Sequence, residues 1–404
     1  MMMIYSIKLV FSLDDCTVSL RRHMEWLCEK IGSRPTGSVK NKEVVDYVLG
    51  VFKNCGFQVC KQEFDCIDWV NSGATLLVDG QVVPVESAVY SLFCSVDAEF
   101  VCVDTVEALK KVELTGKILV IFGALCQKPL MPKNFEFYNP YEHKQIIALL
   151  EEKNPKAIIT VSPHKQHIIQ DGDFNIPCAV VCDDLLGTFL QSTNRKAKLT
   201  ISAERVPVKA HNVIATYGTG RDRMCFCAHI DTKPATPGAL DNASGVSVLL
   251  TLAECIANIQ CSFQIEFVLL NGEDYYSTPG EMAYMMKLTP DYLLAVNVDG
   301  VGLRDSDTSI SFYECPQELE TQIMKCVKKT SGIERIEPWP MGDHMLFVNR
   351  AIPVIALTSC NIFSILDTVI HTPADDMKNI DLHTLDKIVH FLLNCLSAMN
   401  KPVM

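Results

Sequence analysis

No two of the 18 cysteines in this chain stand as a Cys-x-x-Cys pair. That absence excludes zinc ribbons and thioredoxin-type redox motifs, which depend on the spacing, and leaves buried free thiols in a reducing cytoplasm as the expectation. Positive charge is also scarce: 36 Lys and Arg against 48 Asp and Glu give a formal net charge of -12. Phosphate backbones need a basic surface, so nucleic acid is not the expected partner, whereas an acidic protein suits metals and amines. No apolar run approaches the ~20 residues that span a bilayer, and no membrane partner is expected. The opening MMMIYSIKLVFSL is apolar but short, contains a lysine and lacks a clear small-residue cleavage site before Asp14 and Asp15, so it reads as mature chain.

What the sequence does contain centres on AHIDTKPATPGALDNASG, from Ala228 to Gly245. The run before it, Met224 to Ala228, is short and cysteine-rich like a buried strand, and the run after it, Val246 to Ile256, has helical spacing. His229, Asp231 and Asp241 therefore occupy a strand-to-helix loop, and in open α/β sheets such loops at carboxyl ends of strands bind ligands. His229 and Asp231, two apart, share a face, so the Asp can orient the ring. The competing reading is a polar loop with a helix N-cap at Asp241 or Asn242.

A length of 404 residues with 48% hydrophobic content argues for two domains. Ser19 to Ile31 reads as a helix ended by the turn-rich GSRPTGS, Gly32 to Ser38. A second helix carries Val44, Val45, Val48, Leu49 and Phe52 toward a cap at Gly56, and Phe57 to Phe64 reads as a strand. After Trp69 the character changes to short strands, at Gly116 to Phe122, Ala157 to Val161 and Pro177 to Cys182, with an Asp79-Gly80 hairpin signal. His164 and His167 in this section read as a solvated turn. Residues 70–205 are taken as an inserted accessory domain, with 1–69 and 206–404 as the two parts of the main one.

Beyond residue 206, Phe263 to Leu270 runs into the carboxylate pair Glu273-Asp274, Leu293 to Val298 runs into Asp299, and His371-Thr-Pro-Ala-Asp375 precedes an amphipathic closing helix. A solvated acidic loop explains the pair equally well when it is read alone, and His371 could simply pack near Asp375. Jointly, however, His229, Asp241, Glu273, Asp274, Asp299 and His371 all fall at strand ends. Two imidazoles and three carboxylates suit two zinc ions sharing a bridging carboxylate, with one carboxylate left for proton transfer.

The order of these motifs resembles the di-zinc aminopeptidase family of vacuolar aminopeptidase Y and secreted bacterial leucine-type aminopeptidases, with glutaminyl cyclases and transferrin receptors as relatives. The matching segments are His229-Ile-Asp231, Gly238 to Gly245, Glu273-Asp274, Asn297-Val-Asp299, Gly342-Asp-His344 and His371 to Asp375. GSRPTGS looks like the family's start, and the insert is similar to a protease-associated domain through GKILVIFG and IPCAVV. The resemblance implies an α/β fold with a mixed sheet of about eight strands between helix layers and a β-rich protease-associated-like insert. It implies that Asp241 bridges two zinc ions, with His229 and Asp299 on one and Asp274 and His371 on the other. Glu273 would be the general base and acid, and Asp231 would orient His229. The implied activity is release of N-terminal residues from peptides with a free N-terminus. A glutaminyl-cyclase-like single-zinc transferase and a non-catalytic receptor-like relative are the alternatives. Two departures stand out: Asp274 replaces the family's second Glu, one methylene shorter, and Ile370 replaces a Tyr that helps stabilise the oxyanion.

Overall fold

The computed structural model of the chain describes residues 13–135, 139–257, 259, 261–366 and 368–400. The apolar opening segment lies outside the described residues up to residue 12. The chain divides into two compact units, Met1–Cys66 with Lys209–Met404, and Ile67–Val208.

In the first unit the helix Leu13–Glu25 runs into a wider turn at Trp26–Ile31, stopped at Gly32 with φ +70°. The helix Val39–Asn54 is capped by the Ser38 side chain, which accepts from the Asn41 N–H, and its Val44, Val45, Val48, Leu49 and Phe52 are all buried. The sheet of this unit places Arg223–His229, Gln264–Leu270, Tyr292–Val298 and Val354–Ser359 as parallel neighbours. Antiparallel strands flank them: Thr308–Tyr313 beside Val354–Ser359, and the end of Lys196–Tyr217 beside Gln264–Leu270. Parallel strands covered on both faces need continuous apolar runs. VLL at the end of Gln264–Leu270 and MCFCA within Arg223–His229 supply them. Hydrogen-bonded pairing runs through 14 strands in all, more than the eight expected. Lys196–Tyr217 accounts for the excess, since its first residues pair within one unit and its last within the other.

Register fixes the site. His229 pairs with Leu270, so residues 271–274 leave the sheet beside 230–233. Asn297 pairs with Cys227, which sets Asp299 level with His229 at the same sheet end. The segment Ala239–Ile256 is apolar enough by composition to cross a membrane, yet 89% of it is buried inside the protein as a core element. Its close approach to the sheet depends on Gly245, where a Cβ would lie 2.2 Å from the Val298 carbonyl oxygen.

The second unit packs the parallel ladder Cys94–Val103, Ile118–Ile121, Ala157–Ser162 and Cys178–Cys182 with the helix Tyr141–Lys153. The Asp79-Gly80 turn pairs Val78 with Gln81 in a hairpin, both turn residues having positive φ, as a tight two-residue loop requires. His164 is an exposed turn residue, but His167 departs from the solvated-turn expectation. Its Nδ1 accepts from the Val89 N–H at 3.2 Å, and burial holds it below the usual histidine range. The next two residues along the chain, Ile168 and Ile169, enter the unit's core and draw the ring inward.

Gly245→Ala should lower unfolding free energy by ~1–3 kcal/mol or more through overpacking against Val298. Gly50→Ala, on a helix with nothing within 4 Å of the added Cβ, should raise it by up to ~1 kcal/mol. Denaturant titration of both variants checks this; a Gly245→Ala protein as stable as wild type would mean the helix–sheet contact is looser than described.

Candidate metal centre

Asp241 sits on the irregular turn Ala239–Ala243, outside helical φ/ψ, and its side chain lies between two imidazoles. Its Oδ1 is 2.9 Å from His229 Nε2, and its Oδ2 is 2.9 Å from His371 Nε2. On one side His229 Nε2 also faces Asp299 Oδ1 at 3.6 Å; on the other His371 Nε2 faces Asp274 Oδ1 at 3.0 Å. One carboxylate thus separates two His–Asp pairs. All five residues expected to bind metal come together, and Asp274 reaches its histidine despite the shorter side chain.

Several atoms here suit a cation. The His229 ring is fully buried, and its Nε2 has no hydrogen-bond partner, nor does the buried Asp274 Oδ1. Buried polar atoms are normally satisfied, so converging orphans of donor type N and O point to a missing positive partner. His229, Asp241 and Asp274 offer ligand atoms within 4.8 Å of one another, the spacing of a coordination sphere. The charges of the cluster agree. Desolvation opposes the charged form of His371, but Asp274 and Asp241 outweigh it and hold the ring up to about 10. Desolvation pushes Asp299 above the usual carboxylate range.

Asp231 faces His229 Nδ1 at 3.6 Å, and its carboxylate also accepts from Thr36 Oγ1 at 2.8 Å, the Gly272 N–H at 2.9 Å and the Asp274 N–H at 3.2 Å. It therefore anchors the loop that presents Glu273 and Asp274. Burial pushes Glu273 well above the usual range; Asp274, Asp343 and Asp299 add to the effect while His229 opposes it. Asn242 takes the capping role: its Oδ1 accepts from the Gly245 N–H at 3.0 Å while its Nδ2 donates to the Val298 carbonyl at 2.9 Å. The N-cap and ligand readings of Asp241-Asn242 thus fall on different residues.

Three supports escaped the sequence. Arg34, in the turn-rich GSRPTGS, is fully buried and donates to the carbonyls of Ile230 (2.8 Å), Pro237 (2.7 Å), Gly238 (3.1 Å) and Gly32 (3.2 Å). Asp375 accepts from the backbone N–H groups of Leu240 and Asp241 at 2.8 and 3.1 Å, so the carboxylate closing His371-Thr-Pro-Ala-Asp clamps the Asp241 turn. Glu281, which no motif marks, is buried beside Asp343; burial pushes Glu281 up to about 8 and Asp343 well above its ordinary value. His344 of the same motif stays outside the metal cluster, with Nε2 donating to the Trp339 carbonyl at 3.0 Å. Ile370 is buried in the core.

A parallel α/β core that gathers imidazoles and carboxylates beside the carboxyl ends of its strands is an arrangement able to hold divalent metal. Residues 212–396, the segment that holds every expected ligand, match the sequence model of peptidase family M28. A probable lipoprotein aminopeptidase of Mycobacterium tuberculosis is 23% identical over 283 residues, 66% of this chain and 53% of its own. The chain therefore spans about half the length of that curated relative. The fold is that of a zinc aminopeptidase from Bacillus subtilis (17% identity, TM-score 0.77, 98% of this chain and 97% of that one). An aminopeptidase from Aneurinibacillus sp. strain AM-1 is similar too (21% identity, TM-score 0.73, 96% and 94%).

Arg34→Met should strip four carbonyls of their donor, cost ~3–5 kcal/mol of stability and weaken metal retention; thermal unfolding and metal analysis would both have to remain unchanged to refute this. Burial lowers His344 to about 4, against an unfolded value of ~6.5. The unfolded chain then binds more protons in that window, so stability should fall with decreasing pH from ~6.5 toward ~4, by at most ~1.4 kcal/mol per pH unit. His344→Gln should flatten the slope in denaturant titrations across this window; an identical slope would remove His344 as its source.

Proposed function

We propose that this chain is a metal-dependent aminopeptidase that hydrolyses the first peptide bond of substrates with a free N-terminus. The observation that carries the reading is the Asp241 carboxylate with one oxygen toward each of two imidazoles. Zinc is the metal that fits the N and O donors. Two ions are expected, one at His229, Asp241 and Asp299 and one at Asp241, Asp274 and His371. When bound, zinc supplies Lewis acidity that polarises the scissile carbonyl and lowers the pKa of water.

The chain's own residues supply the rest. Glu273 takes the proton from the attacking water and returns it to the leaving amine, a role that suits a carboxyl whose pKa is raised by burial. Asp231 orients His229 and fixes the backbone of the Glu273-Asp274 loop. The acidic cluster attracts the cationic α-amine of a peptide and disfavours N-blocked substrates. No phenol stands at Ile370, so the oxyanion charge falls on other groups of the site. We read the Ile67–Val208 unit as a protease-associated-like insert, and the 18 cysteines, with no disulfide among the described residues, as fitting a reducing, cytoplasmic setting.

Glu273→Gln should fold and keep its metal while turnover on aminoacyl substrates falls by roughly 10²–10⁴-fold. Asp274→Asn should lose metal as well as activity. Metal analysis of the purified chain together with assays on free and N-blocked peptides tests the whole reading. One zinc per chain would favour a cyclase-like transferase, none a receptor-like relative, and near-full turnover by Glu273→Gln would sink the assignment of the proton shuttle.

A further inference from the structure

Three helices of the first unit bring a second set of metal-type donors together, away from Asp241. Cys16 lies on Leu13–Glu25, Cys255 near the end of Ser244–Ile256, and Asp386 and His390 on Leu382–Met399. Asp386 and His390 are one helical turn apart and so project from the same face. Cys16 Sγ and Cys255 Sγ are 3.3 Å apart, and His390 Nε2 is 3.7 Å from Asp386 Oδ2. Cys16, Asp386 and His390 each offer a ligand atom within 4.8 Å of the other two.

Burial makes the cluster unusual. Cys16, Cys255 and Asp386 are 1%, 3% and 6% exposed. Thr17 hydrogen-bonds the Asp386 carboxyl, yet Asp386 Oδ1 and His390 Nε2 are buried atoms with no hydrogen-bond partner. A carboxylate oxygen and an imidazole nitrogen left unsatisfied in an apolar helix layer cost free energy unless a cation completes them. Two sulfurs, one imidazole nitrogen and one carboxylate oxygen make four donors of the kinds zinc takes in closed tetrahedral sites. With bonds of ~2.0–2.3 Å, tetrahedral donor atoms sit ~3.3–3.8 Å apart. The sulfur pair at 3.3 Å and the His390–Asp386 pair at 3.7 Å each lie within ~0.5 Å of the separation their bond lengths require.

We propose that Cys16, Cys255, Asp386 and His390 form a structural zinc site that pins these three helices together. Binding replaces two S–H protons by zinc–sulfur bonds and releases both protons to solvent, while Asp386 and neutral His390 donate lone pairs; no electron changes hands. The helix bearing Cys16 continues through Trp26–Ile31 into the turn that carries Arg34, so the site would brace the segment on which the Asp241 loop rests. The proposal does not depend on the aminopeptidase reading.

Cobalt substitution of the full chain tests it. The Asp241 centre offers only N and O donors, so a thiolate-to-cobalt charge-transfer band reports the second site alone. The band is expected in the wild-type chain, absent from the Cys16→Ser/Cys255→Ser variant, and preserved in Asp274→Asn. Should the double variant not fold, His390→Ala, whose ring is partly exposed, should weaken cobalt retention at this site at least ~10-fold, the loss typical even of a group standing behind a ligand. A missing band in the wild type, a band that survives the cysteine substitutions, cobalt retention unmoved by His390→Ala, or a Cys16–Cys255 disulfide recovered from chain prepared with zinc would each overturn the proposal.

Discussion

A carboxylate driven into the protein at the end of a buried sheet is the constraint on which this structure turns. Asp241 is only 8% exposed, and burying an anion is costly unless positive or hydrogen-bonding partners meet it from several sides. Two imidazoles meet its oxygens, and Asp375 holds its backbone. The turn that carries it is held in turn by Arg34, whose own buried charge is dispersed over four carbonyls. Neither the charge of Asp241 nor that of Arg34 would be tolerable without the other elements in place.

Polar groups behind the centre therefore form a connected frame. Thr36 reaches Asp231, Asp231 reaches the Gly272 and Asp274 backbone, and Asn271 exchanges hydrogen bonds with Asn41 at 2.8 and 2.9 Å. Because each donor has an assigned acceptor, the loops at the strand ends have one low-energy arrangement rather than many, which is what a site acting at fixed geometry needs.

The candidate ligands His229, Asp274 and Asp299 were legible in the sequence because each lies at or just past the end of an apolar strand, and register then makes neighbouring strand ends meet. Leu270 opposite His229 and Asn297 opposite Cys227 follow from pairing strands of similar length. The opening helices, the Asp79-Gly80 hairpin and the closing amphipathic helix were legible for the same reason, local periodicity and turn chemistry. What sequence could not display was long-range satisfaction of buried groups. Arg34 looked like one more turn residue because its acceptors lie some 200 positions later as bare backbone carbonyls, which have no side-chain signature. Glu281 was invisible because its neighbour, Asp343, is equally remote. Strand number was underestimated because one long strand, Lys196–Tyr217, serves two ladders.

The clamp on the Asp241 turn has a consequence for biogenesis. Its parts come from Arg34 at one extreme and Asp375 at the other, so the centre cannot close while the chain is still being made up to that point. Contacts of such sequence separation also form late and slowly in folding. A ribosome-bound or partly folded chain therefore carries its carboxylates and imidazoles as scattered, solvated groups. The proposed peptide-cleaving activity is switched on only by completion of the fold.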